Sequence, residues 1–144
     1  MRVLVQRVNN AKVIIDNSEY SSIDKGLLLL VGFNSEDDET KLDWMVNKCI
    51  NLRVFEDEDE KMNLSVQDVG GSILSVSQFT LYGNANKGNR PSFIDAMEPV
   101  KANELYNKFN EKLAKKINVS TGKFGAHMKL DFVNDGPVTL MIEK

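Results

Sequence analysis

The chain is poor in the residues that build cross-linked or metal-held scaffolds, with one cysteine, three prolines and one histidine among 144 residues. A single cysteine forms no internal disulfide and supplies no cysteine-based zinc site. The longest apolar stretch, Leu27 to Val31, is far shorter than the roughly 18 residues of a membrane-spanning helix. Arg2 and Arg7 close to Met1, without a small-residue cleavage site, argue against a signal peptide. We therefore expect a cytoplasmic protein without a membrane partner.

Composition and length indicate a folded protein. Hydrophobic residues make up 42% of the chain and charged residues 27%, values typical of globular domains. At this length we expect a single domain spanning residues 1–144. The net charge of −3 is uneven, since residues 1–72 hold 8 basic and 14 acidic side chains and residues 73–144 hold 10 and 7. A polyanionic partner would therefore bind the second half.

Hydrophobic periodicity predicts the elements of the first half. Residues 2–8 and 11–15 alternate between polar and apolar, which predicts a β-hairpin turned at Asn9-Asn10. A second turn at Asp16-Asn17-Ser18 is predicted to lead to a short strand at residues 19–23. The apolar segment Leu27–Phe33 predicts a strand buried on both faces and covered by helices. A helix is predicted from about Asp37, with one apolar stripe that faces the core. The stripe consists of Leu42, Met45, Val46, Cys49 and Ile50.

The second half is predicted to hold a central strand, a long helix and two closing strands. Residues 72–81 indicate the strand, residues 83–90 a loop, and residues 99–117 the helix. Residues 125–133 and 138–142 indicate strands joined by a turn at residues 134–137. Together these elements predict an α/β fold, a single-domain layered structure with mixed or antiparallel β-sheets and about two main helices.

Five lysines lie on one face of the predicted helix 99–117. They are Lys101, Lys108, Lys112, Lys115 and Lys116. Glu104 and Glu111 each precede one of these lysines by four residues and are placed to pair with it. The face is open to two interpretations: an ordinary solvated surface, or a stripe that contacts nucleic-acid phosphates.

The single histidine limits the available chemistry. A Ser-His-Asp triad or a histidine-based zinc site would have to use His127. His127 lies in a strand-like segment with apolar neighbours, which favours a structural or surface role.

The segment Ser77-Gln78-Phe79-Thr80-Leu81-Tyr82 places polar groups at the end of an apolar strand. Strand alternation predicts Gln78, Thr80 and Tyr82 on one face, opposite Ser77 and Phe79. Such groups are able to orient a substrate, and backbone amides beyond the last ladder bond are able to stabilise an oxyanion. Serine and threonine in strands are nevertheless more often structural.

Gly136-Pro137 is the second unusual feature. Proline at the start of a strand indicates an edge position or a backbone kept for its shape, such as a cis peptide. A rigid backbone there would reject a substituent by steric contact, without a reactive side chain.

Several motifs occur in a fixed order along the chain. They are Ser77-Gln78-Phe79-Thr80, Lys87-Gly88-Asn89-Arg90-Pro91-Ser92-Phe93, Gly122-Lys123-Phe124-Gly125 and Asn134-Asp135-Gly136-Pro137-Val138-Thr139. With Met1-Arg2-Val3 and Asn51-Leu52-Arg53-Val54-Phe55, they closely resemble the D-aminoacyl-tRNA deacylase family over essentially the whole chain.

The resemblance implies a homodimeric cytosolic enzyme that hydrolyses the ester between a D-amino acid, or glycine, and the terminal adenosine of tRNA. It implies catalytic roles for Ser77, Gln78, Phe79 and Thr80. It also implies that Gly136-Pro137 reaches the other subunit's site and rejects L-amino acids there. No cofactor and no metal are expected.

Two further sets of residues are expected to bind the substrate. Phe124, Gly125 and Met128 are candidates to hold the terminal adenine, with a place in the core as the alternative. Lys87 and Arg90, in the loop after the predicted catalytic strand, are expected to contact tRNA phosphates, while the helix lysines steer from farther away.

The mechanism is open between two classes. Thr80 as a nucleophile would need a neighbouring base, and none lies near it in the sequence. The family resemblance favours assistance by the ribose 2′-OH of the tRNA, with Phe79 and Thr80 positioning the substrate and Gln78 as the side-chain contributor. A non-catalytic RNA-binding module and a serine or threonine esterase of small metabolites are the alternative functions.

Overall fold

The computed structural model describes the whole chain, Met1–Lys144, as eight strands and two helices. In chain order these are β1 (Arg2–Ile15), β2 (Ser18–Ile23), β3 (Gly26–Gly32), α1 (Thr40–Asn51), β4 (Phe55–Glu56), β5 (Met62–Leu64), β6 (Ser72–Ser77), α2 (Pro99–Ala114), β7 (Val119–Thr121) and β8 (Lys129–Glu143), with a 3-10 turn at Phe79–Tyr82. The predicted α/β class with two main helices is confirmed. Neither helix is long and apolar enough to cross a membrane.

The main sheet is mixed and curls almost into a barrel. Its strand order is β2-β1-β3-β6-β7, with β8 on the other side of β1. The pairs β3–β6 and β6–β7 are parallel, and β1 is antiparallel to β2, β3 and β8. Ser21 donates a hydrogen bond to the carbonyl of Thr121 at 2.8 Å, and Ser120 donates to that of Ser22 at 3.0 Å. These bonds bring β2 against β7, so the two ends of the sheet nearly meet.

The predicted hairpin at Asn9-Asn10 is wrong, because β1 runs unbroken through both asparagines. Residues 2–8 pair with β3 and residues 11–15 with β2, so one strand serves both neighbours. The register against β8 shifts around Val8, which makes the asparagines part of a bulge. The second predicted turn is confirmed: β1 and β2 are joined at Asp16 and Asn17, whose φ values of 51° and 60° fall in the left-handed region that short polar side chains tolerate.

The two strands predicted at residues 125–133 and 138–142 form instead one strand, β8, which begins at Lys129. Its partner register passes from Val8–Asn134 to Gln6–Thr139, so that residues 135–138 stand opposite the single residue Arg7. The predicted turn at 134–137 is therefore a wide bulge inside a strand. Glycine, proline and asparagine are common in turns and in bulges alike, and only the pairing of β8 with β1 shows that these residues form a bulge.

The core lies on both faces of β3, as predicted. The stripe of α1 is fully buried, and α2 buries Ala102, Tyr106, Phe109 and Leu113 beside it. Helices cover only one face of the sheet, however. The other face is covered by the curl of the sheet itself, where Leu28 packs with Val8 and Leu74. Cys49 is buried as predicted, and burial raises the pKa of its thiol to about 12.

Candidate active site

A cleft of about 640 Å³ opens beside the ends of β3 and β6. The start of α2 and the turn at residues 124–128 form its other walls. Six of the predicted site residues line it: Ser77, Gln78, Phe79, Phe124, Gly125 and Met128. Thr80, predicted with them, is exposed and does not line the cleft. Segments about 45 residues apart in the chain thus meet in one place, because β6 pairs with β7 and the chain turns back over the sheet just after β7.

The catalytic strand predicted at 72–81 ends at Ser77, and the alternation of faces beyond it is wrong. Residues Phe79–Tyr82 form a 3-10 turn. The amide of Gln78 still donates to Val31 at 2.7 Å, and the turn is closed by bonds from Leu81 to Gln78 and from Gly83 to Thr80. The amides of Phe79 and Thr80 make none of these bonds. Amides at the start of a helical turn have no partner within it and are free to bind an oxyanion.

The polar side chains of the turn contact each other. The side-chain amide of Gln78 donates to the hydroxyl oxygen of Thr80. Gln78 is half-buried and Thr80 is exposed at the surface. A carboxamide does not accept a proton as a base does, so this contact orients Thr80 without activating it as a nucleophile.

Aromatic side chains shape two walls of the cleft. Phe79 packs edge-on against Phe93, with 5.1 Å between ring centroids. Phe124 packs against Tyr106 at 6.0 Å, and the hydroxyl of Tyr106 donates to the carbonyl of Ser75 at 2.8 Å. Phe93 and Tyr106 were not predicted as part of the site. A signal for Phe93 was present in the sequence, because it ends a motif that carries the family resemblance. No such signal existed for Tyr106, which has the same spacing as the other buried residues of α2.

His127 also lines the cleft, but its place in a strand is wrong. Residues 124–126 form a turn, His127 is exposed, and β8 begins only at Lys129. The turn follows from Gly125, whose φ of 74° lies in the left-handed region that glycine favours.

We expect His127→Ala to keep at least about a third of the wild-type kcat/KM on D-tyrosyl-tRNA, because no step requires an imidazole base. The measurement is initial ester loss with variant and wild type side by side, with His127→Gln as the polar control. A loss of roughly a hundredfold, the scale of a general base, would make His127 a catalyst.

Gly136-Pro137 lies in the β8 bulge and is joined by a cis peptide bond. Arg7 contacts the bulge through an ion pair, with its Nε 3.1 Å from the carboxylate of Asp135. Its Nη1 donates a hydrogen bond to the carbonyl of Val54 at 2.7 Å, which fixes the other end of the guanidinium. The motif does not line the cleft of its own chain. Val31 at the cleft pairs with Val3, four residues before Arg7 on β1, which corresponds to about 13 Å along the strand.

The basic residues form two different surfaces. Lys87 and Arg90 are exposed in the loop between Asn84 and Ser92, which bond to each other by paired backbone hydrogen bonds of 2.8 and 2.9 Å. This loop connects directly to Phe93 at the cleft.

The predicted helix 99–117 ends at Ala114, so Lys115 and Lys116 follow it in a turn. Three of the five lysines contact α1 or the residue just before it. Lys108 pairs with Glu39 at 2.7 Å, Lys112 pairs with Asp43 at 2.9 Å, and Lys116 donates to Asn47 at 2.6 Å. Lys108 thus bonds Glu39 rather than Glu104, and this contact lowers the pKa of Glu39. The predicted pairs of Glu104 with Lys108 and of Glu111 with Lys115 do not form, because the spacing within one helix holds no information about the acidic residues of another.

Comparison with known proteins shows the family of the chain. The profile of the family described as D-Tyr-tRNA(Tyr) deacylase matches residues 4–143. A D-aminoacyl-tRNA deacylase of Exiguobacterium sp. is 57% identical over 145 residues, with 100% of this chain and 99% of the relative covered. A D-aminoacyl-tRNA deacylase of Fusobacterium nucleatum is 55% identical over 145 residues, with 99% and 95% covered.

Solved structures show the same fold. One described as c-Myc DNA unwinding element binding protein has a TM-score of 0.95 and 44% identity, covering 100% of this chain and 99% of its own. A probable eukaryotic D-amino acid tRNA deacylase has a TM-score of 0.83 at 21% identity, covering 98% and 97%. The sequence comparisons place the chain among the ester hydrolases. It belongs to the D-Tyr-tRNA(Tyr) deacylase family, as its motifs predicted.

Proposed function

We propose that this protein hydrolyses the ester of D-aminoacyl-tRNA in the cleft beside Ser77, and that it acts on glycyl-tRNA as well. The observation that carries the proposal is the 3-10 turn after Ser77: its Phe79 lines a cleft that Phe124 and Met128 also line, and Thr80 follows as the next residue of the turn. The products are tRNA and the free amino acid. The test is an assay of ester hydrolysis on D-tyrosyl-tRNA and on glycyl-tRNA, measured as the release of labelled amino acid. If the protein hydrolyses neither substrate, the proposal is refuted.

The reacting atoms are positioned by the protein and activated by the substrate. The ribose 2′-OH of the terminal adenosine assists the attack of a water molecule on the ester carbonyl, and the amides of Phe79 and Thr80 stabilise the developing oxyanion. The bond to the ribose oxygen of the ester then breaks, and that oxygen takes up a proton to regenerate the hydroxyl of the tRNA. Gln78 fixes the Thr80 hydroxyl, while Phe124, Gly125 and Met128 hold the adenine by stacking and apolar contact. The reaction then requires no side-chain nucleophile.

Selection against L-amino acids is assigned to Gly136-Pro137 acting in trans within a homodimer. Its position about 13 Å from the cleft of its own chain along β1 supports this assignment. β8, which carries the motif, pairs only with β1, and Val133, Leu140 and Met141 on it are exposed. An edge strand with exposed apolar side chains is suited to contact with a second subunit. The partner's bulge would then stand over the cleft and leave no space for an L side chain.

The loop residues Lys87 and Arg90 are assigned to tRNA phosphates near the 3′ end. Both are exposed and lie a few residues before Phe93 at the cleft. Lys108 and Lys112 are paired with carboxylates of α1, which leaves the loop as the better candidate.

Neutralising Lys87 and Arg90 together to Gln is expected to raise KM for D-tyrosyl-tRNA about tenfold and to flatten its salt dependence, with kcat nearly unchanged. Kinetics at several salt concentrations provide the measurement, and Lys108→Gln with Lys112→Gln is the matched control. If the helix variant instead raises KM and the loop variant does not, the tRNA docks on α2.

A further inference from the structure

The backbone of the 3-10 turn that carries the proposed oxyanion site accepts a hydrogen bond from one side chain outside the turn, that of Arg2. A short helical turn leaves its last carbonyl groups without partners. The carbonyl of Leu81, directly after Thr80, accepts a hydrogen bond from Nη1 of Arg2 at 2.8 Å. The two residues are 79 positions apart in the sequence, and Arg2 belongs to a strand of the main sheet. The contact therefore ties the turn to the rigid part of the fold.

Arg2 makes two further contacts at the same time. Its guanidinium lies over the ring of Tyr82 with 4.5 Å to the centroid, and its Nε pairs with the carboxylate of Glu143 on β8. The planar guanidinium group is suited to this combination. One of its edges bonds the Glu143 carboxylate, another reaches the Leu81 carbonyl, and its face stacks on the Tyr82 ring. Tyr82 is buried and is the last residue of the turn, and its hydroxyl also accepts a hydrogen bond from Asn34 at 3.5 Å. Arg2 thus contacts both of the last two residues of the turn.

We infer that Arg2 is a positioning residue for the reaction: it sets the angle of the turn that presents the Phe79 and Thr80 amides. This inference rests on the proposed function. Catalysis by backbone amides depends on where the backbone stands, and displacement by about 1 Å costs roughly a hundredfold in rate. At the other end of the turn, the Gln78 amide is bonded to Val31 on β3. Arg2 supplies the second fixed point.

Three variants separate positioning from other roles. Arg2→Met keeps an unbranched stem about as long as the Cβ–Nε part of arginine and removes the charge and every donor. Arg2→Lys keeps one donor and the charge. Glu143→Gln removes the ion pair and leaves the bond to Leu81 and the contact with Tyr82 in place.

On D-tyrosyl-tRNA, Arg2→Met should lower kcat by roughly ten- to a hundredfold with KM within about twofold of wild type. Arg2→Lys should recover most of kcat, and Glu143→Gln should behave as wild type. A kcat unchanged in Arg2→Met, or an equal loss in Glu143→Gln, would overturn the inference. A rise in KM alone would show that Arg2 binds tRNA and would overturn it as well.

Amide hydrogen exchange gives a readout that does not depend on activity. The amides of Leu81 and Gly83 close the turn. In Arg2→Met they should exchange at least about tenfold faster than in wild type, while in Glu143→Gln they should not change. If wild type is inactive on D-tyrosyl-tRNA, the proposed function fails while the exchange result still decides whether Arg2 holds the turn. Unchanged exchange in Arg2→Met would refute the inference by itself.

Discussion

Removing the 2′-hydroxyl from the terminal ribose of D-tyrosyl-tRNA should lower the rate of hydrolysis by at least about a hundredfold, whereas Thr80→Ala should cost no more than about tenfold. The physical reason is the environment of Thr80, whose hydroxyl contacts the carboxamide of Gln78 and no base. The substrate must then supply the assisting hydroxyl. Single-turnover rates on the normal and the 2′-deoxy substrate measure both effects.

Thr80→Val is the matched control, because it keeps the β-branched shape and removes only the hydroxyl. A nucleophilic Thr80 would make both variants inactive and would accumulate a covalent aminoacyl ester on the wild-type enzyme. Normal hydrolysis of the 2′-deoxy substrate would refute substrate assistance.

Gly26→Ala should destabilise the fold by about 3 kcal/mol or more, seen as a fall in Tm of roughly 10 °C. Gly26 pairs with Ser72 where β3 meets β6, and a Cβ at Gly26 would overlap the backbone carbonyl of Ser72. Backbone of a central strand is unable to move aside cheaply. Thermal unfolding of the variant and the wild type measures the change.

Gly70→Asn is the control, because Gly70 has a φ of 63° and open space around it, and asparagine tolerates that backbone. Its Tm should stay within about 2 °C of wild type. Equal stability of Gly26→Ala and wild type would contradict the β3–β6 contact. The same strand pair ends beside the cleft at Val31 and Ser77, so activity should fall with the folded fraction.

Periodicity predicted those parts of the fold that depend on one face of one element. The stripe of α1 and the apolar strand β3 were predicted correctly, because burial leaves a direct mark on the spacing of side chains. Asn9-Asn10 and residues 134–137 were predicted as turns, and both lie inside long strands. Their outcome was decided by the pairing of β1 with β8, which local sequence does not contain.

In the candidate site, too, the sequence predicted the residues that belong to motifs but not the local structure that depends on distant contacts. Gln78 and Phe79 were found through their motif, but the 3-10 turn that carries them was predicted as strand. That turn depends on contacts from Val31 and Arg2, both distant in the sequence. The sequence left open whether Lys108 lies on a solvated surface or contacts phosphates. Its actual partner, Glu39, directly precedes α1 and is distant in the sequence.

The most direct test of the account compares D-tyrosyl-tRNA with L-tyrosyl-tRNA at equal concentration in one assay. The two substrates share the tRNA, the adenosine and the ester, so any difference in rate comes from chirality alone. We predict that the D substrate is hydrolysed and that the L substrate decays no faster than without enzyme, because selectivity rests on steric exclusion at the amino acid. Equal hydrolysis of both substrates would contradict the account.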